Sequence, residues 1–163
     1  MENKKIIIGS RGSKLALLYA EKAKKSIITN NKELSEESIE IKIIKTDGDI
    51  NQNQRLSEIG GKGLFSKKIE SELLNKNIDI AVHALKDLPS IETKGLKADI
   101  YLERNDPREV LISKDNKNLL ELDKNSIVGT SSFRREAQLK NLRNNLITKL
   151  IRGNVDTRIK KLE

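Results

Sequence analysis

Three short segments of this chain combine glycine, hydroxyl and arginine residues in an order that suits anion binding. They are Arg11-Gly12-Ser13, Thr130-Ser131-Ser132 followed by Arg134-Arg135, and Arg152-Gly153-Asn154 followed by Arg158. Each follows an apolar run and precedes a helical pattern. A helix start presents unpaired backbone N–H groups and about half a positive charge. Glycine lets a ligand approach the backbone, serine and threonine add hydroxyl donors, and arginine clamps a carboxylate or phosphate bidentately. One such segment alone reads first as an ordinary helix cap beside a solvated arginine. Three of them, each after a strand, are expected to converge at the carboxyl ends of the strands, where open α/β sheets bind ligands. Together they predict a cleft for a molecule with several anionic groups.

Nucleotide signatures do not explain these segments. The sequence has no G-x-x-x-x-G-K-[ST] motif, and Gly61-Lys62-Gly63 follows a polar stretch rather than a strand. His83-Ala84-Leu85-Lys86-Asp87 follows an apolar run and ends near Pro89. Asp87 reads either as a turn residue or as a carboxylate that stabilises a cation or accepts an N–H bond. His83 reads as a core or loop histidine. With no cysteine and no second histidine in the sequence, no metal site is expected.

The elements that must position these residues follow from hydrophobic spacing. Ile6 to Ile8 predicts a buried strand, and Ser13 caps a helix with Leu15, Leu18, Tyr19, Ala23 and Ile27 on one face. Ile39, Ile41 and Ile43 alternate as a strand that ends in a turn at Thr46-Asp47-Gly48-Asp49. Residues 50–62 are polar and read as a mobile loop, and a helix follows from about Gly63 with Phe65, Ile69 and Leu73 on one face. Further strands are expected at Asp79–His83, Ile100–Leu102, Val110–Ser113, Ile127–Val128 and Leu146–Ile151, with a short helical turn at Leu119–Leu122. Helices are expected through about Leu142 and from about Val155. Strands alternating with helices define an α/β class. Asn105-Asp106-Pro107 marks the expected boundary between a first lobe, 1–103, and a second, 104–163. Residues 6–14 resemble 126–135: both run from an apolar strand through glycine and hydroxyl residues into a basic helix start.

Composition narrows the partners. The 163 residues carry a formal net charge of +8, which suits nucleic acid, a membrane surface or a polyanionic small ligand. Aromatics are only 2%, too few for the stacking platforms of single-strand binders, and acidic residues are interspersed throughout. Nucleic acid is therefore not expected as a partner. No apolar run reaches membrane-span length, the N-terminal run is too short for a signal-peptide core, and disulfides are excluded. The expectation is a cytoplasmic protein with no membrane partner.

The ordered set Gly9–Leu17, Gly60–Phe65, His83–Pro89, Gly129–Arg135 and Arg152–Arg158 resembles the porphobilinogen deaminase (hydroxymethylbilane synthase) family over essentially the whole chain. The resemblance implies an enzyme of tetrapyrrole and haem biosynthesis, a transferase that joins four porphobilinogen molecules into hydroxymethylbilane with release of ammonia. It implies a dipyrromethane cofactor held by a cysteine thioether. It also implies a fold like the type II periplasmic binding proteins, with two α/β lobes around a cleft and a third, cysteine-bearing domain. By the same resemblance Asp87 is the catalytic aspartate, which contacts pyrrole N–H groups and stabilises an azafulvene-like cation. Lys86, Thr130, Ser131, Ser132, Arg134 and Arg135 hold cofactor carboxylates. Arg11, Ser13, Arg152, Gly153, Asn154 and Arg158 surround incoming porphobilinogen, and Lys62 and Phe65 belong to a mobile active-site loop.

Two departures qualify these implications. Ala84 stands where the family often has serine, which removes one hydroxyl donor worth about 1 kcal/mol. The sequence ends at Glu163 and contains no cysteine, so both lobes are expected to be incomplete, the third domain absent, the cofactor not bound and the chain inactive alone. The family is usually monomeric, whereas an incomplete lobe that exposes sheet edge and apolar surface leaves self-association open. The competing reading is a non-catalytic anion- or solute-binding module of the same fold. It accounts for the arginines but not for Lys86-Asp87 or for the ordered motif set.

Overall fold

The computed structural model describes residues 5–46, 63 and 65–162. They form two compact units, one ending at Arg104 and one beginning at Asn105. Among the described residues no helix is long and apolar enough to cross a membrane.

The first unit is built on a three-stranded parallel sheet. Strand β1, Ile6–Ser10, lies between β2, Ile39–Ile43, and β3, Ile80–Ala81. The register places Ile6 opposite Ile39 and Ser10 opposite Ile43 on one side, and Ile8 opposite Ile80 on the other. A central parallel strand is apolar on both faces because helices cover both. Here Ile8 and Ile39 pack with Ala20 of helix α1, Lys14–Asn30, and with Ile6, Ile41, Ile80 and Val82 around them. On the opposite phase of the pleat, Ile7 and Ala81 join Ile44 and Ile78 against Ile69 and Leu73 of helix α2, Lys67–Leu74. Strand pairing continues past β3: Asp79 N–H donates to Ile7 O at 2.8 Å and Val82 N–H to Gly9 O at 3.0 Å. The Asp79 carboxylate also accepts from Ile7 N–H at 2.8 Å, so one residue satisfies both main-chain groups of Ile7.

Two expectations for this unit need correction. Helix α1 buries only part of the expected face: Ile27 packs on the core and Tyr19 and Ala23 are half-buried, but Leu18 is 61% exposed, while Ala20, outside that face, is fully buried. The helix meets the sheet on Ala20, whose small side chain permits close approach, with Ile27 and Ile28 beside it, and Leu15 and Leu18 turn outward. Strand β2 also changes phase at its end. Ile43 is exposed and Ile44 takes the buried position, with its N–H donating to Ser10 O at 2.8 Å.

The second unit is a single β–α–β motif followed by a short helix. Strands β4, Ile127–Gly129, and β5, Ile147–Lys149, pair in parallel, joined by α3, Phe133–Leu142, and followed by α4, Val155–Lys160. Among the described residues its buried apolar side chains are Val128 and Leu146. Polar ties supplement this small core. Thr148 donates its hydroxyl to Glu136 at 2.7 Å, and Arg143 donates one guanidinium nitrogen to the carbonyls of Leu119, Leu120 and Leu122. The last three bonds hold the turn at 119–122 against the end of α3.

The expected strands at Ile100–Leu102 and Val110–Ser113 are absent. Both segments lack a main-chain ladder, and Ile100 and Val110 are 92% and 84% exposed. β-Branched composition marks a residue that fits a pleated surface but does not supply the neighbouring strand. The expected turn at Asp47-Gly48-Asp49 and the loop at 50–62 lie outside the described residues.

The two kinds of isoleucine give a direct test. Ile8→Ala should destabilise the chain by roughly 3 kcal/mol in urea unfolding, whereas Ile100→Ala should change stability by less than about 0.5 kcal/mol. Equal losses at the two positions would contradict the burial described.

Candidate functional site

In the first unit the chemistry gathers where β1 turns into α1. The fully buried Ser10 donates its hydroxyl to Ala16 O at 3.3 Å, and Ser13 accepts from Ala16 N–H at 3.3 Å. Both hydroxyls fasten the first turn of the helix, so Ser13 is a helix cap in this structure. Gly9 is dictated by packing: a Cβ there would lie 2.3 Å from the Ile78 side chain. Between these fixed points Arg11 projects its guanidinium over the Phe65 ring, 3.9 Å from the centroid, with Nη1 3.7 Å from Asp87 Oδ2. A guanidinium on an aromatic face keeps its charge while losing water, which suits a cation that orients a carboxylate.

Asp87 closes a single 3₁₀ turn, Leu85–Asp87, and its N–H donates to Ala84 O at 2.9 Å. Ala84 is the cap residue of that turn and has no side chain to bond it. Lys86 lies in the same turn and is exposed. Phe65 sits just before α2, where Ser66 and Lys67 N–H groups both donate to Gly63 O. Gly63 has φ +81, a left-handed conformation natural to glycine. Lys62, expected beside it, lies outside the described residues. His83 follows β3, and its Nε2 is buried without a hydrogen-bond partner. Burial lowers its pKa below the ordinary histidine value. Glu70 and Asp87 oppose that shift and Arg11 adds to it, which places the ring within the field of the Arg11–Asp87 pair.

In the second unit the two remaining helix starts come together. Gly129, like Gly9, packs against an isoleucine: a Cβ there would meet Ile151 at 2.9 Å. Thr130 is buried, donates its N–H to Lys149 O at 2.9 Å, and accepts from Ser132 N–H on its hydroxyl at 3.2 Å. Ser132 caps α3 by accepting from Arg135 N–H at 3.4 Å. The resemblance between residues 6–14 and 126–135 is therefore structural: strand, packed glycine, buried hydroxyl residue, serine cap. Arg158 bridges the two starts, donating to Gly153 O at 2.8 Å and to Ser131 Oγ at 3.3 Å. Gly153 has φ +115, and a Cβ there would meet Thr157 at 2.8 Å, so the position is restricted to glycine. Asn154 is exposed and precedes α4 without a side-chain cap bond, and the Arg152 carbonyl accepts from Lys161.

Three guanidinium groups crowd this unit. Burial, and then the like charges of Arg135 and Arg152, lower the Arg158 pKa below its usual value. The Nε of Arg135 is buried with no hydrogen-bond partner among the described residues. Sequence reading missed one participant. Glu109 pairs through one oxygen with Arg134 and through the other with Arg135, each at 2.6 Å. It lies 25 residues before Arg134 in a segment without helix or strand, so no spacing rule pointed to it.

Comparison with known proteins accords with this geometry. A family model described as porphobilinogen deaminase, dipyromethane cofactor binding domain, matches residues 6–163. The porphobilinogen deaminase of Bacillus subtilis (strain 168) is 48% identical over 159 residues, covering 97% of this chain and 49% of that protein. Those of Sulfurimonas denitrificans and Clostridioides difficile (strain 630) are 46% and 48% identical, over 98% and 97% of this chain and 50% and 52% of their own lengths. The chain belongs to the porphobilinogen deaminase family. It spans about half the length of the curated relatives it matches.

His83 supplies the pH test. It is the sequence's single histidine, and its folded pKa is lowered from the ordinary 6.5. On acidification the unfolded chain takes up the proton first. The stabilisation is thus complete above the ordinary value and is lost as pH falls from there toward the depressed folded value. Unfolding midpoints in urea should drop between about pH 7.5 and about pH 5.5, and His83→Gln should flatten that drop. An unchanged slope in the variant would place the ring in solvent.

Proposed function

We propose that this chain carries the charge-stabilising and anion-holding residues of a porphobilinogen deaminase, the enzyme that joins four porphobilinogen molecules into hydroxymethylbilane with release of ammonia. The two units would belong to the two lobes of a fold like the type II periplasmic binding proteins. The observation that carries the reading is the guanidinium cluster of the second unit. Like charges are packed together, and a buried Arg135 Nε has no partner. Such a cluster suits a polycarboxylate, because each carboxylate neutralises and bonds a guanidinium at once.

The residues present fit a dipyrromethane in chemical type, since its acetate and propionate groups need several cationic and hydroxyl donors. When bound, that group supplies the end to which pyrrole units are added. Arg134, Arg135, Thr130, Ser131, Ser132 and Lys86 would hold its carboxylates. Arg152, Gly153, Asn154 and Arg158, with Arg11 and Ser13 of the first unit, would receive those of porphobilinogen. Ser13 would then contribute through the helix start it caps. Asp87 would accept pyrrole N–H bonds and stabilise positive charge, with Arg11 orienting its carboxylate across 3.7 Å. The 163 residues contain no cysteine to form the thioether, and the chain alone is accordingly proposed to be inactive.

Two measurements test this. The purified chain incubated with porphobilinogen should release no ammonia above the uncatalysed rate, and sustained release would refute the assignment of inactivity. Porphobilinogen should bind the chain in a calorimetric titration, and Arg158→Gln should weaken that binding roughly tenfold. An unaltered affinity would remove Arg158 from the site.

A further inference from the structure

Glu109 is a carboxylate that pairs with two arginines of the cluster, and nothing in the reaction proposed above uses it. Its two oxygens take one Nη2 each from Arg134 and Arg135 at 2.6 Å. The three side chains are 42%, 63% and 43% exposed, so this is an ion pair open to solvent. Hydrogen bonds from Arg134 first and Arg135 second lower the Glu109 pKa, as expected for a carboxylate held in its charged form. The segment around it has no ladder: Val110 beside it is exposed, and the neighbouring Arg108 bonds only locally, to Asp106. Glu109 therefore has the chemistry of a ligand carboxylate and sits where such a carboxylate would bind, on a segment with few other ties.

We propose that Glu109 is a displaceable internal counter-ion that occupies the Arg134–Arg135 pair and sets its affinity for carboxylate ligands. This inference rests on the reading of the cluster as an anion site. A ligand carboxylate and Glu109 compete for the same two Nη2 groups. The tether gives Glu109 a high effective concentration, while its exposure keeps the pair exchangeable. In the empty site Glu109 holds two like charges side by side. In the loaded site it moves aside, and the irregular segment carrying it takes up the displacement.

The test uses succinate as the probe, titrated into the 163-residue chain and followed through the amide NMR signals of residues 130–135. Glu109→Gln keeps the size and removes the charge. It should tighten succinate binding roughly tenfold, and Glu109→Ala should do the same, which guards against a local effect of the glutamine. Asp123→Asn makes the same change in net charge at a residue paired with Lys117, and should alter affinity less than about twofold. Arg135→Gln should weaken binding severalfold. If Arg135→Gln weakens binding but both Glu109 variants leave it unchanged or weaker, Glu109 is a positioning residue and the competition is overturned. An equal gain in Asp123→Asn would reduce the effect to net charge and overturn it as well. If Arg135→Gln has no effect on succinate, the anion-site reading itself fails, and the inference falls with it.

Discussion

The second unit must hold several guanidinium groups close together without cancelling the charge that makes them useful. It does so for Arg158 with neutral acceptors. The Gly153 carbonyl and the Ser131 hydroxyl bind this side chain and fix its direction. Neither carries a charge, so the cation stays available to an anion. The cost appears in the lowered Arg158 pKa, caused by burial and by the charges of Arg135 and Arg152. A guanidinium remains protonated under that strain where an ammonium would begin to lose its proton. This explains why arginine rather than lysine serves at this place in a chain otherwise rich in lysine.

The two parallel strand-to-helix turns make that arrangement possible, and they were largely legible in the sequence. Glycine, a small hydroxyl residue and a capping serine after an apolar run describe both β1–α1 and β4–α3, and both were expected from composition and order alone. The reason for the glycines was not legible. Gly9 and Gly129 are small because Ile78 and Ile151 pack against them, and neither isoleucine is a sequence neighbour of its glycine. The hydroxyls of Ser13 and Ser132 likewise cap helices, so their contribution at a strand end is to hold backbone N–H groups and arginines in place.

Elsewhere local pattern and tertiary outcome parted for identifiable reasons. Helix α1 has two apolar faces, and spacing cannot choose between leucines and alanines without knowing how near the sheet lies. The buried Ala20 shows that close approach won. Ile100–Leu102 and Val110–Ser113 have strand-like composition but no neighbouring strand to pair with among the described residues. Glu109 was invisible for a related reason: its partners lie across an irregular segment whose path no periodicity encodes. The family itself was legible because most of its motifs follow strands, where glycine, hydroxyl and basic residues recur in a fixed order.

In the polycarboxylate site proposed above, the two arginine environments of the second unit would divide the work. Arg158 is held by neutral oxygens and keeps its full charge, whereas Arg134 and Arg135 share one carboxylate. A cluster in which every arginine lacked a counter-ion would repel itself and lack a defined empty geometry. One in which every arginine were paired would bind nothing. A mixture would satisfy both demands: the paired arginines would hold their places until a ligand arrives, and the unpaired charge would draw the ligand in. The buried Arg135 Nε fits this division. Glu109 takes that guanidinium through Nη2 and leaves a second donor unused, and a bidentate carboxylate needs a second donor from each guanidinium it grips.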